Sequence, residues 1–329
     1  MKAKRLLAGL ALAGAVALAA TGCSGSGSGG AGSTDGASGD VITVGFAQTG
    51  SESGWRSANT ESMKEAFSAE NGFDLVFNAA DNKPEAQIAA VRNFINQGVD
   101  AIVLAPIVSD GWDDVLKEAK DAGIPVILED RTVSAPDDLY ESWVGLDFEK
   151  EGETAGKWVA DNYGKQPTNL VVLEGTTGSS AATDRATGFN SAIEGSQIKV
   201  LDSQTGNFTR ADGKTVMEGF LQKYGSEINV LFAQNDDMGL GALDAIKAAG
   251  LTPGQDIKIV TIDAVKDGMT ALADGEFNYI VECNPLLGDQ VAQVVKDVLA
   301  GKTVDKQYIV EDQAFDQEQA KAVLDSRPY

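Results

Sequence analysis

The chain has 329 residues, with 26 Lys and Arg against 49 Asp and Glu, a formal net charge of −23, and no histidine. So acidic a balance excludes a protein that grips nucleic-acid phosphates, and the missing histidine removes Ser-His-Asp and Cys-His catalysis and most zinc sites. At roughly 150 residues per domain the length suggests about two domains. A hydrophobic content of 43% with 37 glycines suits folded rather than disordered chain. Two cysteines, Cys23 and Cys283, are too few for a disulfide framework.

The first elements in chain order form an address. Met1, Lys2, Lys4 and Arg5 make a basic start, an apolar run covers residues 6–20, and Thr21-Gly22-Cys23 follows. That is the layout of a secretory signal, and the run is shorter than the roughly 20 residues of a membrane span. Small residues directly before Cys23 resemble a bacterial lipoprotein cleavage site, although Ala20 stands where that pattern most often has leucine. The plainer alternative is an ordinary signal with an incidental cysteine. The expectation is a signal over 1–22, lipidation at Cys23, and a tether over 23–40, since SGSGSGGAGSTDGASG builds no core. This implies an exported protein, lipid-anchored on the outer face of the cytoplasmic membrane or periplasmic.

From residue 41 short β-branched runs alternate with longer amphipathic stretches, the pattern of parallel sheets covered by helices. Strands are predicted over 41–48, 73–80, 101–105, 125–130 and 142–148, then 169–174, 199–204, 229–234, 258–263 and 278–282. Between them the helices carry punctuation. Asp81-Asn82-Lys83-Pro84 supplies cap residues and a first-turn proline before the stripe Ile88, Val91, Ile95, and Gly98 ends it. Gly123 before Pro125, and Gly250 before Pro253, mark similar exits. Two such runs predict an α/β protein of two doubly wound parallel-sheet lobes, side by side, with a cleft between them.

Ligands of such sheets bind at the carboxyl ends of the strands. There the sequence places Glu52, Trp55 and Arg56, then Asp130 and Arg131, then Asp147, Glu174, Asn235-Asp236-Asp237, Asp263, Glu282 and Asn284. Forked Arg and Asp side chains supply the paired donors and acceptors that sugar hydroxyls need. Trp55 and Phe208 are rings on which a sugar's C–H face could stack. Each feature has a plainer reading. Asp130-Arg131 suits an exposed ion pair at a turn, Trp55 a core aromatic, Asn235 a helix N-cap, and Asp184-Arg185 a pair on a helix face. Their convergence at one edge carries the argument.

These stretches resemble the sugar-binding proteins of bacterial ABC transporters, in the group that includes ribose-binding proteins. VGFAQTGSESGWR at 44–56, QGVDAIVLAP at 97–106, IPVILEDR at 124–131, FAQNDDMGLG at 232–241 and VTID at 260–263 carry the resemblance. GSESGWR at 50–56, Gly111-Trp112 and GNFTRADGK at 206–214 point to galactofuranose binders within it. The resemblance implies ligand contacts at Trp55, Arg56, Asp130 and Arg131 from one lobe. From the other it implies Arg185, Phe208, Asn235 and Asp263. Arg56 stands where ribose binders have an aromatic. The family's last contact, a glutamine two residues before a proline, falls on Cys283, so neighbouring Glu282 is the candidate for that role. Hinges would fall near 144–147, 282–285 and 307–311. One lobe would then comprise 41–145 with about 284–308, the other 146–283 with about 309–329. The implied function is capture of a monosaccharide, galactofuranose-like, by a monomer that delivers it to an ABC permease.

Two other functions compete on such a scaffold. A secreted glycosidase would use two carboxylates, but aspartates paired with arginines make poor general acids. A sugar-responsive repressor needs a DNA-binding headpiece, and this acidic chain begins with an export signal instead. Gly213-Lys214-Thr215 lacks the glycine a phosphate loop requires, Phe208 standing in its place. No cluster has metal-ligand spacing, no cofactor is implied, and Cys283 reads as a small buried hydrophobe.

Overall fold

The computed structural model describes residues 41–329. The expected signal, the lipidation site Cys23 and the tether lie outside the described residues. Alternating strands and helices begin with β1 (Ile42–Gln48), α1 (Gly54–Ala66), β2 (Phe73–Ala79), α2 (Pro84–Gln97), β3 (Ala101–Leu104), α3 (Asp113–Asp121), β4 (Val126–Asp130) and β5 (Ser142–Leu146). Next come α4 (Phe148–Tyr163), β6 (Thr168–Glu174), α5 (Ser180–Ile193), β7 (Ile198–Thr205), α6 (Arg210–Tyr224), β8 (Val230–Ala233) and α7 (Asp236–Ala248). Then follow β9 (Lys258–Asp263), α8 (Lys266–Ala273), β10 (Tyr279–Glu282), α9 (Gly288–Leu299), β11 (Gln307–Val310), β12 (Ala314–Phe315) and α10 (Gln317–Val323).

The strands form two six-stranded sheets, ordered β11-β5-β4-β3-β1-β2 and β12-β10-β9-β8-β6-β7. Every pairing is parallel except that of β10 with β12. The central strands β3, β4 and β8 are buried along their whole length, as β-branched runs sandwiched between helices must be. The chain passes between sheets three times: at Asp147, through 283–287, and through 311–313.

Several boundaries depart from the sequence reading for identifiable reasons. The fifth strand stops at Leu146, because the Asp147 side chain accepts the Lys150 amide and starts α4. Asp147 is therefore a helix cap and not a ligand group. Asp81 and Asn82 do not cap α2; they turn the chain at φ 50° and 56°, while Pro84 and left-handed Gly98 bound the helix as expected. The strands β11 and β12 were not anticipated. β11 is a short edge strand with alternating exposed side chains, which reads as loop. Its pairing with β5 keeps Ile309 and Val310 in the first sheet, where the sequence reading had assigned them to the second lobe.

The two lobes touch across the cleft. The Gly54 amide donates to Asp237 Oδ2 at 2.7 Å, and the Thr132 amide to Ser180 Oγ at 3.0 Å. The Ser109 amide donates to the Gly178 carbonyl at 2.8 Å. The described conformation is closed.

Candidate functional site

A cavity of about 290 Å³ lies between the carboxyl ends of the two sheets. Glu52, Trp55, Arg56, Asp130 and Arg131 line it from the first lobe. Arg185, Phe208, Asn235 and Asp263 line it from the second.

Local backbone geometry aims these groups. Asp130, Phe208 and Asp263 sit at φ 61°, 62° and 125°, conformations that side-chain-bearing residues seldom adopt. Each lies where a strand ends or a loop meets a helix, so the chain turns abruptly and directs the side chain inward. Gly175 makes room for the Phe208 ring, since a Cβ there would lie 1.9 Å from it. Asp236, buried beneath the second lobe's edge, accepts from Thr261 Oγ1 at 2.5 Å and from the Val265 amide at 2.9 Å, which holds the turn after β9. Asn235 caps α7 by accepting the Met238 amide, and its own amide donates to the Phe208 carbonyl. The plainer reading of Asn235 as a cap is correct, and the residue lines the cavity as well.

The three arginines are held differently. Arg56 is enclosed: its Nε donates to Glu52 Oε1 at 3.2 Å, one terminal nitrogen to Asn59 Oδ1 at 3.3 Å and the other to Asp130 Oδ2 at 2.5 Å. Its guanidinium lies 4.6 Å over the Trp55 ring. Arg185 donates to Glu151 Oε2 and to the Gln234 carbonyl, both at 2.7 Å, and its remaining nitrogen stands 3.8 Å from Asp263 Oδ1. Arg131 is the least committed. It makes one long bond, 3.3 Å, to the Ile107 carbonyl and lies 3.6 Å from Asp130. Across the cleft it covers the Phe208 ring at 5.1 Å. Its Nε has no hydrogen-bond partner among the described residues, and neither has Asp263 Oδ2.

Burial governs the protonation equilibria. It pushes the Asp263 carboxyl well above its ordinary value, against the pull of Arg185. It lowers Arg131, and the like charge of Arg56 adds to that. Burial alone would raise Glu52, but Arg56 and Arg131 outweigh it and hold that carboxyl below its ordinary value. Behind the cavity, Glu129 is pushed up to about 8 by burial and the adjacent Asp130, and accepts from Asn59 Nδ2 at 2.5 Å.

Glu282 is not brought to the site. Its carboxylate points the other way, 2.6 Å from Arg327 and 2.9 Å from the Tyr329 hydroxyl, and it also accepts the Gln313 amide. Alternation along the chain sends Cys283 toward the cavity instead. The Trp55 indole donates to the Cys283 carbonyl at 2.6 Å. The sequence reading also missed Phe148 and Ala181 in the wall, and Glu151 behind Arg185. The trace of Glu151 was an acid inside the buried stripe Phe148, Gly152, Ala155, Gly156, Val159. That stripe packs α4 against α5 so closely that a Cβ at Gly188 would lie 1.9 Å from the Glu149 carbonyl oxygen.

A family model described as a periplasmic binding protein domain matches residues 44–303. The chain belongs to the periplasmic binding protein family. It is 48% identical over 248 residues to the galactofuranose-binding protein YtfQ of Escherichia coli K12, covering 74% of this chain and 78% of that one. It is 42% identical over 290 residues to the fructose import binding protein FruE of Bifidobacterium longum, covering 86% and 87%. A Mycobacterium smegmatis crystal structure in complex with β-D-fucofuranose superposes with a TM-score of 0.85, at 56% identity over 88% of this chain and 95% of that one. Members of the periplasmic binding protein family are extracytoplasmic solute-binding proteins rather than enzymes.

Proposed function

We propose that this protein is a receptor that closes on one furanose-form monosaccharide and delivers it to the permease of an ABC importer. The observation that carries the reading is the cavity itself. It is built from both lobes, and it holds a donor, Arg131 Nε, and an acceptor, Asp263 Oδ2, that lack partners. A buried polar atom left unpaired costs about 1–3 kcal/mol, so a ligand that pairs both stabilises the closed form. A polyol ring does this while its C–H faces meet Trp55 and Phe208. Arg131, Arg185, Asp130, Asn235 and Asp263 contact the hydroxyls. Arg56 and Glu52 hold Asp130 in place.

Furanose selectivity is supported by the galactofuranose and fucofuranose relatives at 48% and 56% identity. No catalytic step belongs to this reading, since the carboxylates pair with guanidinium groups and the ligand is released intact. The receptor acts as a monomer, anchored through lipid on Cys23. Calorimetry with galactofuranose, β-D-fucofuranose, fructose and ribose tests the specificity. Galactofuranose and β-D-fucofuranose bind more tightly than ribose, and equal or tighter ribose binding overturns the furanose reading. Recovery of hydrolysed or rearranged sugar overturns the receptor reading. Labelled fatty acid enters the wild type and not Cys23→Ser, and equal labelling refutes the anchor.

A further inference from the structure

Arg185 faces the cavity on one side and the interlobe crossings on the other. Its partner Glu151 is 2% exposed and stands in the first turn of α4, just past the first crossing. Glu151 Oε2 takes the Arg185 bond, while Oε1 has no partner among the described residues. Glu151 and Asp312 line one cavity of about 740 Å³ at the crossings, and Asp312 lies in hydrogen-bonding reach of Glu151. Asp312 belongs to the third crossing, between β11 of the first sheet and β12 of the second. Its Oδ1 accepts the Asn284 amide at 2.9 Å, which ties the third crossing to the second.

Two carboxyl groups in mutual hydrogen-bonding reach need a proton between them. We propose that Glu151 and Asp312 form a proton-linked brace between the Arg185 grip and the interlobe crossings, so that closing the cleft on sugar takes up a proton. This rests on the receptor reading. Glu151 rides on the second lobe, whereas Asp312 sits where the chain must bend when the lobes rotate, so opening separates the pair. In the closed form burial, and then Glu151, push Asp312 up to about 9. Burial raises Glu151 as well, against Arg185. When the pair separates, Asp312 returns toward the ordinary carboxyl range and releases its proton. Closure is therefore favoured below that range and weakens progressively as pH rises toward about 9.

Charges reach the pair from several elements. From α5 comes Arg185, from the end of β9 Asp263, and beyond β10 the thiol of Cys283. Asp130 acts on Glu151 from the first lobe. Glu282 faces Asp312 but is itself neutralised by Arg327. Asp147, Lys150 and Glu311 border the cavity. Among the described residues Arg185 is the one cation in a salt bridge with the pair, and it bonds Glu151, which leaves the proton to Asp312.

The test is calorimetry of galactofuranose binding at pH 7 in buffers of different ionisation enthalpy. Wild type takes up roughly half to one proton per sugar bound, and its affinity falls by up to about tenfold per pH unit between pH 5 and 8. Asp312→Asn keeps an acceptor for the Asn284 amide, binds at pH 7 at least as tightly, and takes up clearly less proton than wild type. Equal uptake by wild type and Asp312→Asn, or none by either, overturns the brace. Scattering of the sugar-free proteins supplies a readout independent of sugar. Wild type expands between pH 6 and pH 10 and Asp312→Asn does not; identical behaviour overturns the brace. If galactofuranose fails to bind, the furanose reading fails, and scattering still decides the brace.

Discussion

Arg131 and Arg185 are chemically alike and nearly fully buried, yet replacing each by Met has opposite consequences for the sugar-free protein. Arg131 makes one long hydrogen bond, leaves Nε unpaired, and is disfavoured by burial and by Arg56. Methionine fills similar space without a charge to desolvate, and Asp130 keeps its 2.5 Å bond from Arg56. The sugar-free Arg131→Met protein therefore melts no lower than wild type, and higher by up to about 1 kcal/mol, or ~2–4 °C. Sugar binding suffers in the opposite sense. It loses charge-assisted bonds worth about 1.5–3 kcal/mol together with the cation–π contact across the cleft. A total of about 2–4 kcal/mol weakens binding ~30- to 1,000-fold.

Arg185→Met removes two 2.7 Å bonds and strands Glu151 and the Gln234 carbonyl in the interior. Breaking a buried pair from one side costs about 3–5 kcal/mol, so this variant melts on the order of 10 °C lower and also loses the sugar. Thermal melts of the sugar-free proteins, paired with calorimetry, separate the two cases. A fall in melting temperature for Arg131→Met as large as that for Arg185→Met refutes the reasoning. So does unchanged affinity in Arg131→Met.

Gly188→Ala forces α4 and α5 apart, because its Cβ would lie 1.9 Å from the Glu149 oxygen; a loss above ~2 kcal/mol is expected in urea unfolding, and a wild-type midpoint contradicts it. Asp237→Ala removes the 2.7 Å bond to the Gly54 amide across the cleft, which weakens sugar binding ~5- to 30-fold through lost closure; an unchanged Kd rules out that latch. Asp236 is buried and pushed up to about 7. Its raised carboxyl stabilises the fold fully below the ordinary value near 3.9 and less and less up to about pH 7, so wild type loses more stability between pH 4 and 7 than Asp236→Asn does; parallel pH profiles of melting temperature refute this.

Much of this was legible in the sequence, because parallel strands buried on both faces must be apolar runs and their carboxyl ends must carry the polar residues. Val103, Leu128 and Val260 announce such strands; Asp130 and Arg131 stand at the end of β4, and Asp263 at the end of β9. The losses fall where long-range geometry overrides local pattern. Glu282 and Cys283 are adjacent, and only strand register decides which of them faces the cavity. Asp147 follows a strand like Asp263 does, yet a helix begins immediately and takes its side chain as a cap. Glu151 left only a faint trace, an acid inside the apolar stripe of α4, because an acid in the first turn of a helix is ordinary surface chemistry. Its burial comes from the close approach of α5, which Gly152 and Gly188 permit.

The strained residues are where fold and function meet. Asp130, Phe208 and Asp263 hold backbone conformations that cost on the order of 1–3 kcal/mol each, and all three line the cavity. A strand that continued straight would alternate its side chains between the two faces of the sheet and send none beyond its end. The positive φ breaks that alternation at the edge and turns a carboxylate or a ring into the cleft. Packing elsewhere sustains the strain: Asp236 holds the turn after β9, the Asn235 amide holds the Phe208 carbonyl, and Trp143 Nε1 donates to the Asp130 carbonyl at 3.0 Å. With these groups already oriented, a ligand loses little further ordering entropy on binding. The sugar's contribution is then spent on bringing Arg131 and Phe208, from opposite lobes, into contact around it.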